Sequence, residues 1–253
     1  MPRYRLIIEY DGSGFVGWQR QANGQSVQEA IERAVLGFSG ELVDVVGAGR
    51  TDTGVHATHQ VAHLDLGRDW TLDTVRDAIN FHIRPHSVCI LRAELAAPTF
   101  HARFDAISRA YTYVILNRKP PPVLERNQVW HVTAPLDADV MNDAAQELVG
   151  KHDYTTFRAA ACQALSPVKT VDSLTVQRDG NHIIVHARTR SFLHHQMRSF
   201  VGALRYVGEG KWSRADLADA LAARNRARCA PVAPAGGLTL VAVDYPDDAA
   251  AAS

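Results

Sequence analysis

The order of apolar segments in the first hundred residues constrains the fold more than any other feature of this chain. Residues 4–10 have the pattern of a buried strand. Ser26 and Glu29 form a capping-box pattern, and the residues that follow are apolar at helical spacing, which predicts a helix. Strand-like runs at 42–49 and 60–66, a helix opened by Thr71 and a strand at 88–95 complete the order β-α-β-β-α-β.

The second half of the chain repeats this order with longer segments. The predicted elements are strands at 110–117 and 129–132, a helix capped by Asp137, a hairpin of 173–178 and 183–188, helices at 192–207 and from Ser213, and a strand at 238–245. We therefore predict an α+β protein made of two ferredoxin-like or RRM-like halves, joined through a mainly antiparallel sheet with a cleft between them. The predicted halves are residues 1–103 and 104–246, and residues 247–253 are expected to be a disordered tail.

Composition narrows the class of protein and its location. The chain has 253 residues, of which 46% are hydrophobic and 21% are charged, as in a globular protein. Its three cysteines are far apart and form no C-x-x-C pair, which fits a reducing cytoplasm. The apolar run at the N-terminus is too short for a signal peptide or a membrane span. These features predict a cytoplasmic protein that does not enter a membrane.

The charge distribution indicates a nucleic-acid partner even though the net charge is zero. Between residues 178 and 228, ten lysines and arginines stand against four acidic residues. A local excess of positive charge is what a surface requires to bind successive phosphates of a nucleic acid. A solvated helix face would have a similar composition, so that alternative stays open.

Residues 49–57, with the sequence GRTDTGVHA, carry the clearest chemical signal. Asp52 stands in a turn that glycines bracket, between two apolar runs. A lone carboxylate in such a turn suits a nucleophile or a base, although an Asx-turn or a helix cap would also explain it. Arg50 lies two residues earlier, so in an extended chain its side chain leaves the same side as that of Asp52.

The GRTDTGVHA string resembles the signature of the tRNA pseudouridine synthase A family. Further landmarks of that family follow in order along nearly the whole chain: YDGSGFVGWQRQ at 10–21, FHARF at 100–104, RAYTY at 109–113, FLHHQMR at 192–198 with Gly202, and GLTLVAV at 237–243. The resemblance implies isomerisation of uridine to pseudouridine in the tRNA anticodon stem-loop, at positions 38, 39 and 40. It also implies a homodimer that binds tRNA and needs no cofactor.

The resemblance also implies roles for individual residues. Asp52 is the expected catalytic carboxylate, and Tyr111 and Arg198 are the expected substrate-binding residues, the arginine lowering the pKa of the carboxylate.

Arg198 is expected on a helix face shared with His194 and Arg205. Tyr113, on the same predicted strand as Tyr111, is expected in the core. The residues expected to bind RNA and flip the base are Arg50, Arg68, Phe100, His101, Arg103 and Lys119.

Some positions depart from the family pattern. Ser13 stands where threonine is usual, and Thr53 where alanine is common. Ala164 and Leu165 occupy a stretch, 162–166, in which relatives often have polar or basic residues, so an RNA contact there is in doubt.

Two other site patterns are weaker. His56, His59 and His63 have spacings of three and four, but no further ligand follows at a suitable spacing, so we expect no metal. Residues 12–17 match G-x-G-x-x-G after a predicted strand. A dinucleotide site needs a helix to begin at once, whereas here a loop follows, so we reject that interpretation.

Two other functions compete with the synthase. The triplet of Asp52, Thr53 and Gly54 also occurs in aspartic proteases, but that fold is nearly all strand, and this chain has four or five predicted helices. A non-catalytic RNA-recognition module fits the predicted fold and would use exposed aromatic residues on central strands, for which Tyr111 and Tyr113 are candidates. Such a module would have no use for an aspartate held in a turn.

Overall fold

A computed structural model describes residues 1–246, and the tail expected at 247–253 lies outside the described residues. Contacts between residues define two compact units, one made of residues 1–107 and 239–246 and one made of residues 108–238. The sequence pattern placed the last strand in the second half, whereas the contacts group it with the first unit. Among residues 1–246, no helix combines the length and the apolar character that crossing a membrane requires.

The first unit has the predicted β-α-β-β-α-β order. Its elements are β1 (Arg3–Tyr10), α1 (Val27–Ser39), β2 (Val46–Gly47), β3 (His56–Asp65), α2 (Leu72–His82) and β4 (Val88–Ala96), followed at the end of the chain by β10 (Leu238–Asp244). The side chain of Ser26 accepts a hydrogen bond from the Glu29 N–H, which confirms the predicted start of α1. Thr71 caps α2 in the same way.

In the first unit, β1 lies between β3 and β4 and is antiparallel to both. One end of β3 pairs with β2 at residues 62–63, and the other end pairs in parallel with β10 at residues 56–57. The strand expected at 42–49 is reduced to Val46–Gly47. In the register that pairs Val46 with His63, residues 42 and 43 would lie beyond the end of β3, and Leu42 is 89% exposed. Leu6, Ile8, Ile31 and Ile79 of β1, α1 and α2 are buried in the core.

The second unit contains β5 (Ser108–Asn117), β6 (Trp130–Val132), α3 (Ala138–Ala145), β7 (Gly150–Asp153), β8 (Val168–Asp179), β9 (His182–Thr189), α4 (Gln196–Gly208) and α5 (Arg214–Ala222). Strands β5, β9, β8 and β7 are successive antiparallel neighbours, and β6 is parallel to β5. The α+β class and the predominance of antiparallel pairing are therefore confirmed. The short strand β7 was not predicted, because a run of only four residues leaves too little pattern to detect.

One helix prediction is wrong in its starting residue. Helix α4 begins at Gln196 and not at 192, because His195 has a left-handed backbone conformation (φ 64°). His194 therefore precedes the helix and does not share a helix face with Arg198.

Candidate active site

Asp52 lies in the loop between β2 and β3 of the first unit, and its side chain is half-buried. The Val55 N–H donates to the backbone carbonyl of Asp52 at 3.1 Å, which closes a tight turn. Gly54 has a left-handed φ of 79°, a conformation that other residues adopt only with strain. The flanking glycine predicted from the sequence is thus required by the turn that presents the carboxylate.

The residues just before Asp52 are held by buried hydrogen bonds. The hydroxyls of Tyr10 and Thr51 are 2.8 Å apart, and burial raises the pKa of Tyr10, so its phenol stays protonated as a hydrogen-bonding group. The side-chain amide of Gln60 donates to the carbonyl of Gly49 at 2.7 Å. These contacts tie the loop to β1 and β3, so the backbone on which the carboxylate stands is fixed by the sheet.

The segment that follows β1 packs against the backbone of the Asp52 loop. The Trp18 N–H donates to the Thr51 carbonyl at 3.1 Å. Gly17 has φ 108°, and a Cβ added there would lie 2.5 Å from the same carbonyl oxygen. The Thr53 hydroxyl donates to the Val16 carbonyl at 3.0 Å. Threonine at this position, where the family commonly has alanine, therefore adds a hydrogen bond to this segment.

A second close approach lies at the other end of the loop. A Cβ on Gly12 would lie 2.0 Å from the Val55 carbonyl oxygen, so only glycine fits. The Gly12 N–H donates to His56 Nδ1 at 3.0 Å, and the carboxylate of Asp11 is 3.1 Å from the same nitrogen. Ser13, which stands where the family usually has threonine, donates to the Asp11 carboxylate through its N–H and its hydroxyl.

The role of segment 10–18 as a support for the Asp52 loop was missed by the sequence reasoning. The available signal was the set of glycines at 12, 14 and 17, which a dinucleotide site did not explain. Two of them are placed where the backbone of the loop leaves no room for a side chain. Glycines that face the backbone of a neighbouring loop are a sign of close backbone packing.

Arg50 and Arg103 are brought close together in the first unit. The pKa of Arg50 is lowered, first by partial burial and then by repulsion from the charge of Arg103. Both side chains are exposed. Two cations on one surface beside the Asp52 loop are suited to an anionic ligand.

Phe100 and His101, both expected to bind RNA, have packing roles in the structure. The ring of Phe100 is half-buried, with its centroid 5.1 Å from that of Tyr245. His101 Nδ1 accepts hydrogen bonds from the N–H groups of Arg103 and Phe104, at 3.2 and 3.3 Å. The two residues therefore shape the turn on which Arg103 stands.

His63 ties this turn to β3. Its buried imidazole accepts a hydrogen bond from the Ala102 N–H through Nδ1 at 3.1 Å. Burial, with the nearby charges of Arg3 and His101, lowers the pKa of His63 to about 4. At neutral pH the ring is thus uncharged, as the hydrogen bond requires.

We expect His63 to make the stability of the protein sensitive to acid. The unfolded chain takes up a proton on this histidine with a pKa of about 6.5, whereas the folded protein does so only at about 4. The contribution of His63 is therefore complete above pH 6.5 and is lost as the pH falls toward 4, by up to about 3 kcal/mol. Urea unfolding at pH 7 and pH 4.5 should show a smaller loss in His63→Gln than in the wild type. Equal losses in the two proteins would contradict this role.

Tyr111 lies on β5 of the second unit and is 9% exposed. Its ring meets that of Phe192 edge to face, with centroids 5.1 Å apart. Tyr113, two residues later, is fully buried, and its hydroxyl donates to the Pro234 carbonyl at 2.8 Å. The prediction that Tyr113 belongs to the core is confirmed.

Arg198 lies in the first turn of α4 and is half-buried. Its Nε donates to the Ala233 carbonyl at 2.8 Å, and its own carbonyl accepts from the Ala233 N–H at 3.1 Å. Its charge also opposes the rise that burial causes in the pKa of Tyr113. The guanidinium is therefore positioned by the unit's own backbone.

Arg68 and Lys119 lie on the surface, each in its own unit. The guanidinium of Arg68 is stacked 3.8 Å from the ring of Trp70, and Lys119 is exposed just after β5. Among the described residues, no contact within its own unit joins either side chain to another residue that is expected to bind RNA.

The basic excess in segment 178–228 is partly neutralised within the second unit. Arg205 and Lys211 both pair with Glu209, and Arg214 pairs with Asp143 and Glu147. A count of charges along the segment therefore overstates the charge that it offers to a ligand.

Comparison with known proteins decides the family. A family model described as tRNA pseudouridine synthase matches residues 6–105 and 144–246. A protein named tRNA pseudouridine synthase A from Azorhizobium caulinodans is 59% identical over 247 residues, which cover 98% of this chain and 96% of the relative. The chain belongs to the tRNA pseudouridine synthase A family.

Two more proteins named tRNA pseudouridine synthase A match this chain over nearly their full length. That from Parvibaculum lavamentivorans is 56% identical over 245 residues, covering 97% of this chain and all of the relative. That from Methylobacterium sp. (strain 4-46) is 56% identical over 247 residues, covering 98% and 99%. As a pseudouridine synthase, the protein is an isomerase that acts on uridine in tRNA.

The two matched stretches of the synthase contain most of the expected site residues. The Asp52 loop, its supporting segment and the turn at 100–105 lie in the first stretch, and Arg198 lies in the second. Tyr111 and Lys119 fall in the unmatched residues between the stretches. The expected role of Tyr111 therefore rests on the RAYTY motif, and that of Lys119 on the general resemblance.

Proposed function

We propose that this synthase converts uridine to pseudouridine at positions 38, 39 and 40 of the tRNA anticodon stem-loop, with Asp52 as the essential carboxylate. The observation that carries the proposal is a half-buried aspartate on a turn that the sheet and segment 10–18 hold in one conformation. Preorganisation of this kind is what a catalytic group needs, because small displacements of a reacting group reduce rates strongly.

The reaction exchanges one bond of the base for another. The bond from C1′ to N1 breaks, a bond from C1′ to C5 forms, N1 gains a proton, and the hydrogen on C5 leaves as a proton. The formula of the nucleotide is unchanged, so no oxidant, reductant or group donor is consumed. A carboxylate that attacks the sugar or the base, or accepts a proton, suffices to start the exchange.

We assign the other expected residues supporting roles in binding the tRNA. A base inside a helix must be unstacked at a cost of about a few kcal/mol, and Arg50 is the residue that we propose fills the gap it leaves. Tyr111 provides a flat ring for the extruded uracil, and Arg198 provides a positive charge. Arg68, Arg103 and Lys119, which are exposed, bind phosphates, whereas Phe100 and His101 act by shaping the turn that carries Arg103.

The position of modification is tested with unmodified tRNA transcripts that carry tritium on C5 of uridine. Because C5 loses its hydrogen in the reaction, tritium release measures turnover. A transcript with uridines at 38, 39 and 40 should release tritium, and one with cytidines at those positions should release none above background. Equal release from both transcripts would contradict the proposed positions, and no release from either would contradict the proposed function.

We further propose that the synthase acts in the cytoplasm as a homodimer. The basic surface of one chain is short compared with a folded tRNA, and internal ion pairs of the second unit reduce its charge further. Two copies would pool their phosphate contacts, which dominate nucleic-acid affinity. Light scattering at micromolar concentration should give the mass of a dimer. A fully active monomer would contradict this assembly.

A further inference from the structure

The turn at 100–105 of the first unit presents an aromatic ring to solvent. Phe104 is 68% exposed. One side of its ring is covered by that of His101, with centroids 4.3 Å apart and an angle of 32° between the planes. The guanidinium of Arg103 lies 5.8 Å from the ring centroid. Phenylalanine in this setting contributes little to the core, so its exposure calls for another explanation.

The turn holds the ring in one place. The carboxylate of Asp105 accepts a hydrogen bond from the His101 N–H at 2.7 Å, and the Asp105 N–H donates back to the His101 carbonyl at 3.0 Å. His101 Nδ1 accepts from the Phe104 N–H itself, and the buried Ala102 is bonded to His63. The ring is therefore presented on a backbone that is already ordered, which lowers the entropy that a ligand must overcome.

The charges beside the ring select the kind of ligand. Arg103 is the neighbour of Phe104 in the chain, and Arg50 is close enough to Arg103 for their charges to interact. Arg50 is also two residues from Asp52 in the supported loop. An exposed ring beside two cations suits an unpaired nucleobase together with its phosphates, because proteins bind single-stranded RNA through stacking and backbone charge.

We propose that Phe104 stacks on an unpaired base of the tRNA anticodon loop and so helps to register the substrate at the Asp52 loop. The proposal rests on the proposed function, since it takes the ligand to be tRNA. The base lies on the exposed face of the ring, and His101 supports the opposite face. The contact is tolerant of base identity, because every base offers a flat face.

The test compares Phe104→Leu, which keeps an apolar side chain but removes the aromatic face, with Phe104→Trp, which keeps stacking. Anticodon stem-loops that carry 2-aminopurine at one unpaired position at a time report stacking through quenching of its fluorescence. The wild type should quench one position strongly. Phe104→Leu should lose that quenching and bind roughly 5- to 150-fold more weakly, which corresponds to the loss of one stacked base, while Phe104→Trp should retain both.

Phe81 offers a matched control, because it is also 68% exposed but lies on α2, outside the turn. Phe81→Leu should leave the quenching and the affinity unchanged. Unchanged quenching in Phe104→Leu would overturn the proposal, and a change from dimer to monomer with unchanged quenching would show that the ring contacts a second subunit instead. Tritium release by the wild type on the same stem-loops separates the claim of isomerisation from the claim of stacking. If the wild type quenches the fluorescence but releases no tritium, the proposed function is rejected and the stacking is not.

Discussion

Gly17→Ala is expected to destabilise the first unit and to slow the reaction together. Position 17 has φ 108°, and the new Cβ would lie 2.5 Å from the Thr51 carbonyl oxygen, closer than any relaxed contact. Backbone strain and the displaced loop should cost roughly 2–4 kcal/mol in the free energy of unfolding. Because the carbonyl that must move belongs to the residue before Asp52, tritium release should fall by about 100-fold at saturating tRNA.

Gly14→Ala provides the matched control three residues away. A Cβ at position 14 meets no atom within 4 Å, and the backbone there is not left-handed. Its free energy of unfolding should stay within about 0.5 kcal/mol of the wild type, with turnover unchanged. Urea unfolding and tritium release on the three proteins check both effects. Equal behaviour of the two alanine variants would show that segment 10–18 does not support the Asp52 loop.

The fold was predictable where local signals agree with one another. The residues from Ser26 to Ser39 combine a capping residue with apolar side chains at helical spacing, and α1 begins where the cap predicts. The same agreement of cap and pattern holds for α3 and α5, which Asp137 and Ser213 cap. In these segments the local chemistry leaves no competing structure.

The errors arise where features other than the local residue pattern decide the outcome. The run at 42–49 has the pattern of a strand, but in the register that pairs Val46 with His63 its first residues lie beyond the end of β3. No feature near residue 42 carries that information. The start of α4 was predicted too early, because His195 has a left-handed backbone directly before the helix, a conformation that is uncommon for residues other than glycine.

The turn that carries Asp52 was predictable, but the contacts that support it were not. The turn was predicted from the glycines that bracket Asp52, and the catalytic role of Asp52 stays a prediction from the family signature. The partnership of Tyr10 with Thr51, and the close approach of Gly12 to Val55, join segments about forty residues apart. Such contacts follow from the pairing of β1 with β3, so they become visible only when the register of the sheet is known.

Asp52→Asn is expected to remove turnover while leaving the protein folded and able to bind tRNA. Asparagine keeps the size and shape of the side chain but has no negative charge to attack a carbon atom or to accept a proton. Tritium release should fall by roughly 10,000-fold or more, as when an essential nucleophile or base is removed from an enzyme. Affinity for tRNA should stay within about three-fold of the wild type, because phosphate contacts dominate it.

The most direct measurement compares Asp52→Asn with Asp44→Asn, in which an exposed aspartate of the same unit is neutralised in the same way. Each protein is incubated in excess over a tRNA transcript labelled with tritium on C5 of its uridines. Tritium release over time and the fraction of transcript that is bound are both measured. We expect release at the wild-type rate from Asp44→Asn and none above background from Asp52→Asn, with the transcript bound in both cases. Sustained tritium release by the folded Asp52→Asn protein would contradict the claim that this carboxylate drives the isomerisation.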